Sequence, residues 1–122
     1  MNNLPKFFFS LQTNIQMYHW QTDSFARHKA TDECLQQLSG LIDKFMEIYQ
    51  GKYGKLAKGT TTITISSLTD KQATDLLRHC IKYLSNITHE EPTIKQTDSD
   101  LLNIRDEMIG ILNQTLYLFT FH

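Results

Sequence analysis

Apolar residues recur every three or four positions in four separate stretches of the chain, and this period constrains the fold more than any other feature of the sequence. The first stretch predicts a helix over residues 4–22. Its apolar face consists of Leu4, Phe8, Leu11, Ile15 and Tyr18. A helix with one apolar face must bury that face against other elements. The period therefore predicts an all-α protein.

The other three stretches predict helices from Phe25 to Tyr49 or Lys52, from Asp70 to Ile87 and from Ser99 to Phe119. Polar residues mark where several of these helices begin. Asn3 and Asp98 are expected to cap the first and fourth helices, and Thr69 with Gln72 forms a capping-box signature before the third. The first and last pairs of helices are joined by short links, the second of which, Thr88 to Thr97, is predicted to be a loop.

The stretch from Lys52 to Leu68 is different from the rest, because it contains two glycines and a run of β-branched residues, Thr60 to Ile65. A lone strand has few partners in a helical protein, so we expect an extended crossover. Whether its edge pairs with another chain across an interface stays open at this point. Two helical hairpins joined by one long crossover give an antiparallel four-helix bundle with ferritin-like connectivity. We expect residues 1–122 to form this single domain.

Composition excludes several classes of protein. The net charge is −1 and 20 % of the 122 residues are charged, so neither nucleic acid nor an anionic membrane is an expected partner. The run Phe7-Phe8-Phe9 is too short for a signal peptide, which favours a cytoplasmic protein with Cys34 and Cys80 as packed, reduced thiols. The sequence contains no P-loop, dinucleotide fingerprint or Cys-x-x-Cys pair.

Two pairs of candidate metal ligands lie in the second predicted helix. His28 with Asp32 and Asp43 with Glu47 are each spaced i, i+4, which places both members of a pair on one helix face. Imidazole and carboxylate together suit iron, manganese or zinc. The pairs are 15 residues apart, about 22 Å along a helix, so one chain cannot close both around one ion. A second copy, antiparallel across a two-fold axis through this helix, can.

His19-Trp20, Phe25, His28, Asp32, Asp43 and Glu47 together resemble the signature of the Dps family (DNA-binding proteins from starved cells, or miniferritins). The resemblance implies a ferritin-like fold and a dodecameric shell that stores iron. It also implies an intersubunit ferroxidase centre that oxidises Fe(II) with peroxide or dioxygen. His19, His28 and Asp32 would come from one subunit, and Asp43 and Glu47 from its mate. Zinc or manganese stays open as the metal.

The sequence departs from the Dps pattern in three places. The segment from His19 to His28 is short, Met46 and Ile48 flank Glu47 where the family has Ala and Arg, and there is no basic tail for DNA binding. These departures keep a second hypothesis open, that the protein is a ferritin-like structural or interaction module without redox activity.

Several other residues have expected roles. Gly40 indicates either a close helix crossing or a kink, and Trp20 is expected to be a core or interface aromatic. The remaining histidines, His79, His89 and His122, are expected at the surface. An acidic group near the last loop is interpreted as solvated turns and caps, with a cation pore at a three-fold axis as the alternative. It comprises Glu90, Glu91, Asp98 and Asp100.

Overall fold

The computed structural model describes residues 3–121, and this part of the chain folds into five helices with no strand. The helices are α1 (Leu4–Gln21), α2 (Phe25–Tyr53), α3 (Asp70–Ser85), α4 (Ile87–Glu90) and α5 (Ser99–Leu118). The prediction of an all-α protein is confirmed. None of the described helices is long and apolar enough to cross a membrane.

Side-chain contacts fix the relative directions of α1 and α3. Tyr18, near the end of α1, donates a 2.6 Å hydrogen bond to Asp70, the first residue of α3. The ring of Phe7, near the start of α1, stacks on Tyr83, near the end of α3, with 3.9 Å between centroids. The two helices therefore run antiparallel.

The same reasoning orients α2 and α5. Lys52 at the end of α2 lies 2.6 Å from the carboxylate of Asp98, just before α5. Arg27 at the start of α2 lies 4.4 Å above the ring of Phe119, which follows α5. Asp70, the first residue of α3, accepts through its main-chain oxygen from Arg27 at the start of α2, so residues 54–69 must carry the chain back along the molecule before α3 begins.

The core lies between the four long helices, and the predicted apolar faces supply it. All five predicted residues of α1 are at most 2 % exposed. The innermost residues of the other long helices include Leu38, Phe45, Leu77, Leu84, Leu101 and Met108. Burying one such side chain stabilises the fold by about 1.5–3 kcal/mol. Leu35, which lies one step before Leu38 in the apolar period of α2, is only partly buried at the edge of the core.

Two helix starts show side-chain capping. The predicted capping box is present, since Thr69 Oγ1 accepts from Gln72 N at 3.1 Å and Thr69 N donates to Gln72 Oε1 at 2.9 Å. The cap of α2, which the sequence analysis missed, is Ser24, whose hydroxyl accepts from Arg27 N at 3.2 Å. These bonds satisfy main-chain N–H groups that a helix leaves unpaired in its first turn.

The other two predicted caps are wrong. Neither Asn3 nor Asp98 makes a side-chain cap hydrogen bond, although each occupies the N-cap position. Asn3 instead donates its main-chain N–H to Glu91 at 2.8 Å. The Asp98 carboxylate is taken up by Lys52 and by the main-chain N–H of Lys95 at 2.8 Å. At Asp98, the ion pair with the distant Lys52 therefore occupies the carboxylate that was expected to cap the helix.

The end of the third predicted helix also needs correction. Helix α3 stops at Ser85 rather than Ile87, and Ile87–Glu90 forms the separate helix α4 where part of a loop was expected. The helix ends at Asn86, whose backbone leaves the helical range (φ −106°, ψ 25°) and whose side-chain Nδ2 donates to Lys82 O at 3.0 Å.

Candidate metal centre

His19 and His28 lie face to face where α1 ends and α2 begins. Their rings stack with 4.0 Å between centroids and 14° between planes. His19 Nδ1 lies 2.9 Å from His28 O, and His28 Nδ1 lies 2.9 Å from His19 O, so each ring bonds the other residue's main chain. His19 is buried, whereas His28 is exposed. The short link between α1 and α2 therefore places the two imidazole rings in contact with each other.

These bonds fix the tautomer of each neutral ring. A carbonyl oxygen only accepts, so Nδ1 of both histidines must carry the hydrogen, and Nε2 keeps its lone pair. Thr31, which is fully buried, adds a second contact at 2.9 Å to His19 Nδ1. A histidine held by an Nδ1–H bond to a carbonyl is the usual arrangement of a metal-ligating imidazole.

Asp32 lies one turn beyond His28 on the same helix and is half-buried. One of its carboxylate oxygens accepts from Gln36 Nε2 at 3.3 Å, a long hydrogen bond between two residues of the same helix. His19, His28 and Asp32 are the three ligands predicted for one half of the site. The structure brings the two histidines into contact, but it does not gather Asp32 with them into a group that could hold a metal ion.

Asp43 and Glu47 do not join this half within one chain. Both are exposed, and they lie on the same uninterrupted helix as His28. The spacing of 15 residues again corresponds to about 22 Å. Across residues 3–121, no three His, Cys, Asp or Glu side chains come together in a way that could hold a metal ion. A complete five-ligand site would therefore require a second copy of the chain.

The outer face of α1 and α2 next to Asp43 is open. A cavity of about 400 Å³ lies there, bordered by Phe9 from α1 and by Gly40 and Met46 from α2. A Cβ added to Gly40 would meet no atom within 4 Å, so no neighbour inside the chain requires glycine at this position. A close crossing at Gly40 would have to involve another molecule.

Trp20 follows His19 but does not belong to the core. Its side chain is 70 % exposed, and Phe25 nearby is 76 % exposed. The expectation of a core aromatic is therefore wrong for this chain, while an interface role for Trp20 stays a prediction. His79 and His89 are exposed, and His122 lies outside the described residues.

The acidic group near the last loop is more buried than expected. Glu91 is 4 % exposed and accepts from Asn3 N and, at 3.2 Å, from the hydroxyl of Tyr83. Burial, with the charge of Glu91, raises the pKa of Tyr83. Asp98 is 5 % exposed and bonded to Lys52. Solvated turns were therefore the wrong interpretation of Glu91 and Asp98, which join separate parts of the fold.

A second cluster next to the histidines was missed by sequence reasoning. Arg27 Nη1 donates to Tyr18 Oη at 3.2 Å and to Asp70 O at 3.0 Å, and Tyr18 donates to the Asp70 carboxylate. Burial and the bond to Asp70 raise the pKa of Tyr18. The period of the first helix identified Tyr18 only as an apolar position, and nothing in its spacing indicated the partners of its hydroxyl.

Residues 19–119 match the family of unknown function DUF5856, and because this match covers most of the chain, the protein belongs to that family. The matched region begins at His19 and includes all five candidate ligands. The chain is also similar to the uncharacterised 14.6 kDa protein in the mobD–ri intergenic region of Enterobacteria phage T4. The two are 35 % identical over 103 residues, which are 84 % of this chain and 73 % of the phage protein. No solved structure matches.

Proposed function

We propose that this protein is a Dps-like, ferritin-like iron-binding protein whose ferroxidase centre forms between two copies of the chain. The observation that carries the proposal is the paired Nδ1–H bonding of His19 and His28, which leaves the Nε2 lone pair of each neutral ring available to a metal. Asp32 adds an oxygen one turn away. Mixed nitrogen and oxygen ligation is the environment of redox iron, and zinc or manganese are competing ions.

The directions of the helices support a ferritin-like bundle. Helices α1 and α2 form one antiparallel hairpin, α3 and α5 form another, and residues 54–69 join them along the length of the molecule. That is the one-crossover connectivity of the ferritin-like class. In this class, inward-facing or interface carboxylates and histidines on the long helices bind the metals.

The second copy would complete the site from the same helix. With α2 antiparallel across a two-fold axis, Asp43 and Glu47 of one copy face His28 and Asp32 of the other. The open face around Gly40 leaves room for this approach. Each dimer would then contain two equal sites, and a shell of twelve copies is the larger assembly that we propose for holding the ferric product.

Iron is the substrate of the proposed reaction. Two Fe(II) ions each give one electron to hydrogen peroxide, whose O–O bond breaks, and two protons convert its oxygens to two waters. His19 and His28 would hold the ions through nitrogen, Asp32 and Asp43 would supply oxygen, and the carboxylate of Glu47 would bridge. Dioxygen is the alternative oxidant.

Stopped-flow absorbance of ferric species after Fe(II) addition tests the proposal. The wild-type protein should oxidise iron much faster than Asp43→Ala/Glu47→Ala, and Lys44→Ala, an exposed neighbour, should match the wild type. Mixing His28→Ala with Asp43→Ala/Glu47→Ala should restore activity, because one site of each mixed dimer keeps all five ligands. Equal rates in wild type and the double variant would overturn the proposal.

A second candidate is an interaction module without redox activity. The large exposed side chains of Phe9 (54 %) and Trp20 (70 %) favour it, because they give α1 an apolar outer surface whatever metal is bound. Metal content after purification separates the two functions. Wild type and His28→Ala that both lack iron would favour the module.

A further inference from the structure

The crossover contains an uncharged, extended segment with one free main-chain edge. Residues 60–69 contain no turn or bend, and residues 59–69 carry no charge. Residues 60–67 are exposed except for Ile63, which is half-buried. A straight, β-branched segment with free main-chain groups can pair with another strand.

Asn14 of α1 fastens the inner edge of this segment. Its Nδ2 donates to Thr64 O at 3.0 Å, and its Oδ1 accepts from Ser66 N at 3.0 Å. In an extended chain, the N–H and C=O of one residue point to the same side, and those of the next residue point to the other. The main-chain groups of Thr64 and Ser66 therefore face α1, and those of Ile63 and Ile65 face away from it.

The outer edge is unpaired within the molecule. Among residues 3–121, neither Ile63 nor Ile65 uses its N–H or C=O in a hydrogen bond. The side chain of Ile65 is also 48 % exposed, so it is available to a partner strand.

We infer that this edge pairs with the same segment of a second copy, as a two-stranded antiparallel ribbon centred on Thr64. In that register Ile63 of one copy exchanges both main-chain hydrogen bonds with Ile65 of the other. The N–H and C=O groups of both isoleucines are then hydrogen-bonded in each copy. Thr64 then lies opposite its own copy, and Thr62 lies opposite Ser66. Apolar and hydroxyl cross-strand pairs of this kind are each stabilising.

Charge favours the second copy as the occupant. The paired residues 59–69 carry no charge, so two copies meet without like-charge repulsion along the ribbon, and the register places Lys58 of one copy opposite Asp70 of the other. The pairing uses main-chain groups alone and is independent of metal, so it does not depend on the proposed iron site.

Disulfide trapping with diamide and EDTA tests the register. Thr64→Cys should form a covalent dimer, because residues at a non-hydrogen-bonded pair have Cα atoms about 4.5 Å apart, within the range of a disulfide. Thr62→Cys is the matched control. Its two copies would lie four residues out of register, about 13 Å apart, and should stay monomeric on a denaturing gel.

Mixing Thr62→Cys with Ser66→Cys should restore the covalent product, since those two positions face each other. Wild type should give none, because Cys34 and Cys80 are buried. A dimer from Thr64→Cys and from the mixture, but not from Thr62→Cys alone, establishes the ribbon. Absence of product from Thr64→Cys, or equal yields from Thr64→Cys and Thr62→Cys, would overturn it.

Discussion

His19 and His28 bind each other's main chain through Nδ1 while their rings stack at 4.0 Å. The pair therefore joins the end of α1 to the start of α2 through two side-chain-to-main-chain hydrogen bonds. His28→Ala should lower the free energy of unfolding by about 1 kcal/mol, the usual net value of a hydrogen bond. It should also abolish tight binding of Fe(II) or Co(II).

Urea titration measures the first effect and calorimetry under nitrogen the second. His79→Ala is the control, because His79 is exposed on α3, away from the pair. If His28→Ala binds metal as wild type does, His28 is not a ligand and only its structural role remains.

The core should be sensitive at Leu38, which is fully buried in α2. Leu38→Ala removes buried methyl groups and leaves a cavity, so we expect the free energy of unfolding to fall by about 2–5 kcal/mol. Lys44→Ala, an exposed change on the same helix, should alter it by less than about 0.5 kcal/mol. Chemical denaturation followed by circular dichroism gives both values; a loss below 1 kcal/mol at Leu38 would contradict the packing.

Stability should fall in acid through Asp98. Its pKa is lowered to about 2 because Lys52 donates to the carboxylate, with Lys95 N–H and Tyr53 adding to the effect. An unfolded aspartate titrates at about 3.9. The unfolded chain thus binds more protons between these values, so the contribution of Asp98 is complete above about pH 5 and is lost as pH falls towards 2.

The urea midpoint of wild type should therefore drop more between pH 5 and pH 2.5 than that of Asp98→Asn. Asp23→Asn, at an exposed position in the link between α1 and α2, should follow the wild-type curve. Parallel curves for wild type and Asp98→Asn would show that Lys52 does not stabilise the ionised carboxylate.

The start of α3 should depend on its capping box. Thr69→Ala removes the acceptor for Gln72 N and should cost about 1 kcal/mol of stability. Thr69→Ser keeps the acceptor and should retain most of it. Hydrogen exchange should locate the change in the first turn of α3; a uniform change across the molecule would argue against a local cap.

Both thiols should be unreactive in the folded protein. Burial raises the pKa of Cys80 to about 12 and also raises that of Cys34, so little thiolate forms near neutral pH. Dithionitrobenzoate should label neither thiol until denaturant unfolds the chain. Rapid labelling of one thiol in buffer would mean that its helix opens locally.

The features that depend on the period of apolar residues were predictable from the sequence. The helix starts at Leu4, Phe25, Asp70 and Ser99 and the apolar faces of all four long helices follow from steps of three and four residues. Contacts between distant residues were not predictable in this way. Glu91 and Asp98 look like solvated loop residues until the fold brings Asn3 and Lys52 to them.

In the candidate site, too, the features set by sequence spacing were predictable and the contacts between separate elements were not. The i, i+4 spacing identified Asp32 with His28 and Asp43 with Glu47 and excluded a site closed by one chain. It could not show that His19 turns back onto His28, because that depends on the length and path of the link between α1 and α2.

Helix α2 runs without a break from Phe25 to Tyr53 and so fixes the distance and the angle between the two pairs of candidate ligands. Each residue inserted between Asp32 and Asp43 would move the second pair by about 1.5 Å and turn it by about 100°. In an antiparallel two-fold dimer both copies lengthen equally, so the pairs still match along the axis, but the turn of about 100° takes Asp43 and Glu47 off the helix face that carries His28 and Asp32. In the proposed dimer, one residue inserted or deleted in this interval would therefore separate the two pairs whatever its side chain, although helix α2 itself could remain intact.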